Sequence, residues 1–289
     1  MKPPRFEYFA PASLDEAVAL LDRYGGEAKV LAGGQSLMPL LNMRLARPAA
    51  LVDINRVAGL HSLEAWDGGV TIGATIRQRA LQREPLITER LPILVEAATH
   101  IGHHQIRSRG TICGSLAHAD PAAELPALAL AFDAELVATG PRGGRTITAD
   151  GFYRGYLSTA LDPSEVLTEV RIPALPSSMA WAFLEVSRRH GDFALVGIVA
   201  GLSIDRDRDA IADARLVYFG VGPTPIRATE AERQLIGQPP GGDAFSAAGE
   251  AASRAVDPVD DVHATAAYRR SVAAALTRRA LRQAWERLS

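Results

Sequence analysis

The sequence predicts an α+β fold in two parts, on three observations. Helix-patterned and strand-patterned stretches mix through residues 1–175 without the regular strand–helix alternation of a doubly wound sheet. Pro173 to Ser178, Pro-Ala-Leu-Pro-Ser-Ser, then breaks both patterns and reads as a linker. Beyond it, long strand-like segments precede a helical tail, which fits a smaller α+β domain of a three-stranded sheet with helices, residues 176–289.

The elements follow in order. Ser13-Leu14-Asp15-Glu16 has the spacing of a capping box, and the helix it opens carries apolar residues at 14, 17, 18 and 21 before Gly25-Gly26 stops it. Lys29 to Ala32 is a short strand that delivers the chain into Ala32-Gly33-Gly34-Gln35-Ser36-Leu37. A helix or turn from Leu37 to Leu45 follows, with Pro39 in its first turn, where proline is tolerated. Leu51 to Ile54 and Val70 to Gly73 read as buried strands, and Thr75 to Leu81 and Leu91 to Ile101 as helices. A second glycine-containing turn, Gly110-Thr111-Ile112-Cys113-Gly114-Ser115-Leu116, leads through His118-Ala119-Asp120 into an alanine- and leucine-rich helix opening at Pro121. Strands at 134–139 and 145–148 flank Gly140-Pro141-Arg142-Gly143-Gly144, a hairpin signature. In the second part the strands are Trp181 to Ser187, Ala194 to Ile204 and Ala214 to Val221. The last helix, Thr265 to Leu288, shows an apolar stripe at 268, 272, 276, 281, 285 and 288. Its arginines, 269, 270, 278, 279, 282 and 287, read as a solvated face, with docking of another subunit as the alternative.

Composition narrows the function. A formal net charge of −2 gives the protein as a whole no attraction for polyanions, which argues against nucleic-acid binding. The longest apolar run, Leu125 to Phe132, is far short of the ~20 residues of a membrane span, and Met1 to Glu7 has no signal-peptide core, so a cytoplasmic location is expected. Cys113 is the only cysteine, so no internal disulfide and no cysteine-ligated iron–sulfur cluster can be built from this chain alone.

The two glycine turns are the main candidates for chemistry. Glycine lets successive backbone amides converge on one anion, and Ser36, Thr111 and Ser115 add hydroxyl donors. Two such nests suit a ligand with two phosphates, or with a phosphate and a sugar; a dinucleotide is the simplest candidate. The Gly-x-Gly-x-x-Gly route is absent, and Gly220-Val221-Gly222 is followed by Pro223, which lacks the donor a phosphate nest needs. His100, His103 and His104 suggest a metal, but Gly102 interrupts the helix between them and no carboxylate stands nearby in sequence. Ser115, His118 and Asp120 lie too close along the chain for a hydrolase triad and lack a nucleophile elbow. Cys113 reads either as a packed small side chain or as a reactive thiol or covalent cofactor anchor favoured by Arg107 and Arg109.

The ordered series Ala32 to Leu37, Leu51 to Ile54, Ile72-Gly73-Ala74, Gln105-Ile106-Arg107 and Gly110 to Pro121 closely resembles the flavoprotein component of the molybdenum hydroxylases, the family of carbon monoxide dehydrogenase and xanthine dehydrogenase. The resemblance continues through Leu167 to Pro173, Arg188 to Phe193 and Val221 to Arg227, and so covers nearly the whole chain. It implies an FAD-binding domain of the vanillyl-alcohol-oxidase (PCMH) type followed by a smaller C-terminal domain. FAD would be held by Ala32, Gly33, Gly34, Gln35, Ser36 and Leu37 and by Thr111, Cys113, Gly114 and Ser115. His118 and Asp120 would add polar contacts, and Phe193 would shield a flavin face. Cys113 stands where the family's Thr-x-Gly-Gly-Ser pattern has its first glycine, and cysteine tolerates a positive φ poorly.

The resemblance also implies an electron-transfer subunit with no catalytic residue acting on an organic substrate. Electrons would arrive from [2Fe–2S] clusters on a small iron–sulfur subunit and leave to an external acceptor. The molybdenum cofactor would sit on a large subunit, the whole forming a dimer of heterotrimers. A self-contained FAD-dependent oxidase or dehydrogenase on the same fold is the alternative.

Overall fold

The structure is a computed structural model that describes residues 2–288. The chain begins with a small parallel sheet in the order Glu7–Phe9, Ala50–Asp53, Ala28–Leu31, so a strand–helix–strand unit exists locally despite the irregular rhythm of the sequence. The helix Leu14–Tyr24 that makes this crossover starts as its cap predicts. The Ser13 hydroxyl accepts from the Glu16 amide at 3.2 Å, while the Glu16 carboxylate accepts from the Ala12 amide, one residue before the cap. Ala17, Val18 and Leu21 are its buried stripe, and Gly25 ends it at φ 53°.

A second, antiparallel sheet follows in the order Leu63–Trp66, Gly69–Gly73, Val166–Pro173, Glu135–Gly140, Gly143–Thr148. The predicted hairpin closes with Gly140 paired to Gly143. Three predicted helices differ from the structure. Only Gln78–Gln82 of the first is helical, as a 3-10 turn, because the Thr75 hydroxyl bonds to the Leu60 carbonyl instead. The second is shorter than predicted: Leu91 joins Pro85–Arg90 to Pro92–Ala98, the proline opening the latter helix. The helix expected from Pro121 begins at Glu124, because Asp120 first makes a turn by accepting the Ala122 amide at 2.9 Å.

The C-terminal sheet runs Met179–Ser187, Ala194–Asp205, Ala210–Phe219, Ile226–Arg227, the three long strands expected plus a two-residue edge strand. Alternation along these strands buries both faces. Trp181, Phe183, Val199, Val217 and Phe219 join the core of the N-terminal part, while Ala182, Ile198, Ala200, Leu216 and Tyr218 pack in the core with residues of the helices Gly242–Ala255 and Ala266–Glu286. The helix Glu124–Ala131 packs against this sheet with every residue buried, which is why its sequence lacks a polar face.

The seam of the last helix runs through Arg269, Ala273, Leu276, Thr277, Ala280, Leu281 and Ala284. The predicted stripe shares only Leu276 and Leu281 with it. Tyr268 and Trp285 are 47% and 37% exposed, because small alanines, not aromatics, let the helix approach the sheet. Nor is the arginine face uniformly solvated. Arg278, Arg279 and Arg282 are exposed, but Arg269 is buried, and Arg287 pairs with Glu96 and donates to the Trp181 carbonyl. Among the described residues no helix is long and apolar enough to cross a membrane.

Candidate functional site

A cleft of about 1390 Å³ opens between the parallel sheet, the helix Ile112–His118 and the C-terminal part. Ala32, Gly33, Gly34, Gln35, Ser36, Leu37, Thr111, Gly114, Ser115, His118, Asp120 and Phe193 all line it. The predicted residues therefore come together, with Cys113 as the exception.

The first glycine segment leaves the strand Ala28–Leu31 and forms one lip of the cleft. Its peptide planes are fixed by side chains. The Asn55 side chain donates to the Ala32 carbonyl at 2.8 Å, and the Gln35 side chain donates to the Gly33 carbonyl at 3.1 Å. In a trans peptide the N–H points opposite to its carbonyl, so these bonds orient the amides of Gly33 and Gly34. Among the described residues, the amides of Gly33, Gly34, Gln35 and Ser36 have no intramolecular acceptor. Gly34 has φ 72°, the left-handed region that favours glycine. At Gly33 the reason for glycine is space: a Cβ would stand 2.5 Å from the Arg109 carbonyl oxygen and 2.6 Å from the Gly110 Cα. The two glycine segments touch there.

The second segment is a helix start and not an open turn. Thr111 caps the helix Ile112–His118, its hydroxyl accepting from the Gly114 amide at 3.1 Å. The Ile112 amide bonds to the Ile76 carbonyl and the Ser115 amide to the Thr111 carbonyl, which leaves the amides of Thr111 and Cys113 available. Cys113 is helical, so no left-handed φ calls for the family's glycine at this position. Its thiol is buried and bonds weakly to the Ile72 carbonyl, and burial pushes its pKa up to about 12. A thiol so placed is neither reactive nor a flavin anchor. Ala119, in a left-handed conformation, ends the helix and turns the chain towards Asp120.

The histidines separate. His100 is ion-paired with Glu185 at 3.2 Å, a hydrogen bond that raises its pKa; His103 and His104 are exposed, and His103 lines the cleft. Ser115, His118 and Asp120 share the cleft without forming a triad, and burial lowers the His118 pKa.

Three features escape a reading of the sequence. The loop Pro258 to His263 also lines the cleft, held by Arg269, which bonds to Asp261 and to the Leu195 and Gly220 carbonyls. Tyr156 and Leu157, on the connection after Tyr153–Gly155, add exposed apolar rim. Neither carries a motif. Glu124 also lines the cleft at 5% exposure, and burial pushes its carboxyl up to about 8, with Glu185 and Asp120 adding to the shift and His100 opposing it. In the sequence this carboxylate marks only the edge of an apolar run.

A stability test isolates Glu124. The folded protein holds this proton more tightly than the unfolded chain, so Glu124 costs no stability below its ordinary value near 4.5 and a growing amount as pH rises towards about 8. The melting temperature of the flavin-free chain is expected to fall across that window, and Glu124→Gln to flatten the decline. The raised pKa of His100 adds a slope of the same sign, reduced in the variant because Glu124 contributes to that shift. The lowered pKa of His118 adds one of opposite sign in both proteins. Parallel profiles for the two proteins would show that Glu124 is ionised in the folded state.

Two family models match the chain: the FAD binding domain in molybdopterin dehydrogenase over residues 4–175, and the CO dehydrogenase flavoprotein C-terminal domain over residues 181–284. The chain is 44% identical to the 6-hydroxypseudooxynicotine dehydrogenase complex subunit alpha of Paenarthrobacter nicotinovorans, over 99% of this chain and 97% of that protein. It is 39% identical to the carbon monoxide dehydrogenase medium chain of Hydrogenophaga pseudoflava, over 99% of each. A solved structure of carbon monoxide dehydrogenase from Hydrogenophaga pseudoflava superposes with a TM-score of 0.96 at 40% identity, covering 100% of both chains.

Proposed function

We propose, because the chain belongs to the FAD-binding flavoprotein family of the molybdopterin dehydrogenases, that its cleft carries electrons from iron–sulfur clusters on a partner subunit to an external acceptor. The chain has the FAD-binding domain of this family, and its relatives are subunits of dehydrogenases. The observation that supports the cleft as the FAD site is the row of unpaired amides from Gly33 to Ser36, with two of the adjoining carbonyls tied down. Such a row suits a pyrophosphate, and the second lip adds the free amide of Thr111.

In this reading Ala32 to Leu37 hold the pyrophosphate, with the Ser36 and Ser115 hydroxyls adding donors. Asp120 keeps one oxygen on the Ala122 amide and offers the other to a hydroxyl or N–H of the nucleotide. His118, kept neutral by burial, and Gly114 complete the wall of the cleft. Phe193, 61% exposed at the rim, shields a ring face and limits access of the acceptor. Bound FAD supplies the redox chemistry; the protein supplies orientation and electrostatics. The FAD-binding part takes residues 1–175, of PCMH type, and the C-terminal part residues 176–289.

With Cys113 as its one cysteine the chain cannot hold a cluster. The clusters therefore sit on a small subunit and the molybdenum cofactor on a large one, in a cytoplasmic dimer of heterotrimers. The purified protein is expected to contain one flavin, released intact as FAD by heat or acid. Flavin that stays with the denatured chain, or is released as FMN, overturns the assignment.

A further inference from the structure

The two lips of the cleft are joined by a short chain of polar side chains. Asn55 follows the strand Ala50–Asp53, and Arg77 precedes the 3-10 turn Gln78–Gln82. The Asn55 amide nitrogen Nδ2 donates to the Ala32 carbonyl at 2.8 Å. Arg77 donates through Nη2 to Asn55 Oδ1 at 2.7 Å and through Nη1 to the Arg109 carbonyl at 2.7 Å. Asn55 is itself held by Asp53, whose Oδ1 accepts from the Asn55 backbone amide at 2.9 Å and from Nδ2 at 2.6 Å. Tyr8 donates to the other Asp53 oxygen at 2.6 Å.

The connection runs from one glycine lip to the other. The Ala32 carbonyl shares its peptide plane with the amide of Gly33, and the Arg109 carbonyl oxygen is the atom that a Cβ on Gly33 would strike. Holding both carbonyls sets the direction of the Gly33 amide and the spacing of the lips together. Arginine suits the task because its planar fork reaches two acceptors at once, while an ammonium acts on them only as a point charge.

We propose that Asn55 and Arg77 are positioning residues for FAD: neither lines the cleft itself, but together they aim the Gly33 amide and fix the gap between the lips. The proposal rests on the reading that the cleft binds FAD.

The test titrates FAD into the full-length chain stripped of flavin, for the parent, Arg77→Met, Arg77→Lys, Asn55→Ala and the Asn55→Ala/Arg77→Met double variant. Each flavin-free protein is also melted. Arg77→Met and Asn55→Ala are expected to raise the FAD dissociation constant about tenfold, within the range of coupling between linked sites. Arg77→Lys should fall between Arg77→Met and the parent. Because the two residues act through one connection, the double variant should bind no more weakly than the poorer single variant. The induced visible circular dichroism of bound flavin should change in the single variants, reporting an altered seat. Affinities within twofold of the parent, or multiplying losses in the double variant, would overturn the proposal, as would losses that track the melting temperature. A parent that takes up no FAD at all would instead overturn the reading of the cleft.

Discussion

Gly33→Val in the full-length chain is expected to abolish FAD binding while leaving most of the fold in place. The added Cβ would sit 2.5 Å from the Arg109 carbonyl oxygen, 2.6 Å from the Gly110 Cα and 2.9 Å from the Thr111 nitrogen, all backbone atoms that cannot swing away. The lips must part, and the amides of Gly33 and Thr111 no longer converge. Two charge-assisted hydrogen bonds lost at ~1.5–3 kcal/mol each correspond to a weakening of roughly a hundredfold or more. Gly34→Val acts by a different route, placing a β-branched residue at φ 72°, where the strain is of order 1–3 kcal/mol. Flavin content after purification and FAD titration of the stripped chain read both effects. Full occupancy in Gly33→Val would remove the first glycine segment from the binding site, whatever the fate of the second.

The other large effect is the dependence on partners. Expressed alone, the chain is expected to bind FAD and to show at most slow dye reduction, with no turnover of the organic substrate. Expressed together with a small iron–sulfur and a large molybdenum subunit, as the proposed function requires, it should support substrate-dependent dye reduction. The cause is the division of groups between chains. Cys113, the one thiol, is buried against the Ile72 carbonyl and is available to no cluster. The titratable groups His118, Asp120 and Glu124 line the same cleft as the two lips, so under the proposed reading they are the wall of the cofactor site and not a separate substrate pocket. Turnover by the single chain at the rate of the assembled set would favour the self-contained flavoenzyme and defeat the subunit reading.

The glycine lips are legible in the sequence for a physical reason. Such lips are built from the backbone, and backbone geometry is written locally, in glycines and in hydroxyl residues beside them. Gly33, Gly34 and Ser36 and Thr111, Gly114 and Ser115 therefore stand out without knowledge of the fold. What holds the two lips together is not legible. Asn55 and Arg77 lie 22 residues apart and meet only because the end of the strand Ala50–Asp53 and the turn after Ala74 converge in space. The phase of the last helix escapes the sequence for a related cause. Its packing is set by how closely alanines let it approach the sheet, whereas a count of large apolar residues favours the flank that Tyr268 and Trp285 occupy.

Residue order alone carries what is local or additive. It set the α+β character, the glycine lips, the capped first helix and the absence of any thiol set for a cluster, because each depends on neighbouring residues or on a count. Long-range packing fixed how those pieces face one another. It brought Gly33 against Arg109 and Gly110, turned the Cys113 thiol into the core, buried Arg269 and Glu124 at the cleft, and closed the wall with the loop Pro258 to His263. These outcomes depend on burial and on contacts between residues far apart in the chain. The desolvation that raises the Glu124 pKa and the approach that forbids a side chain at Gly33 exist only once the distant segments have packed together.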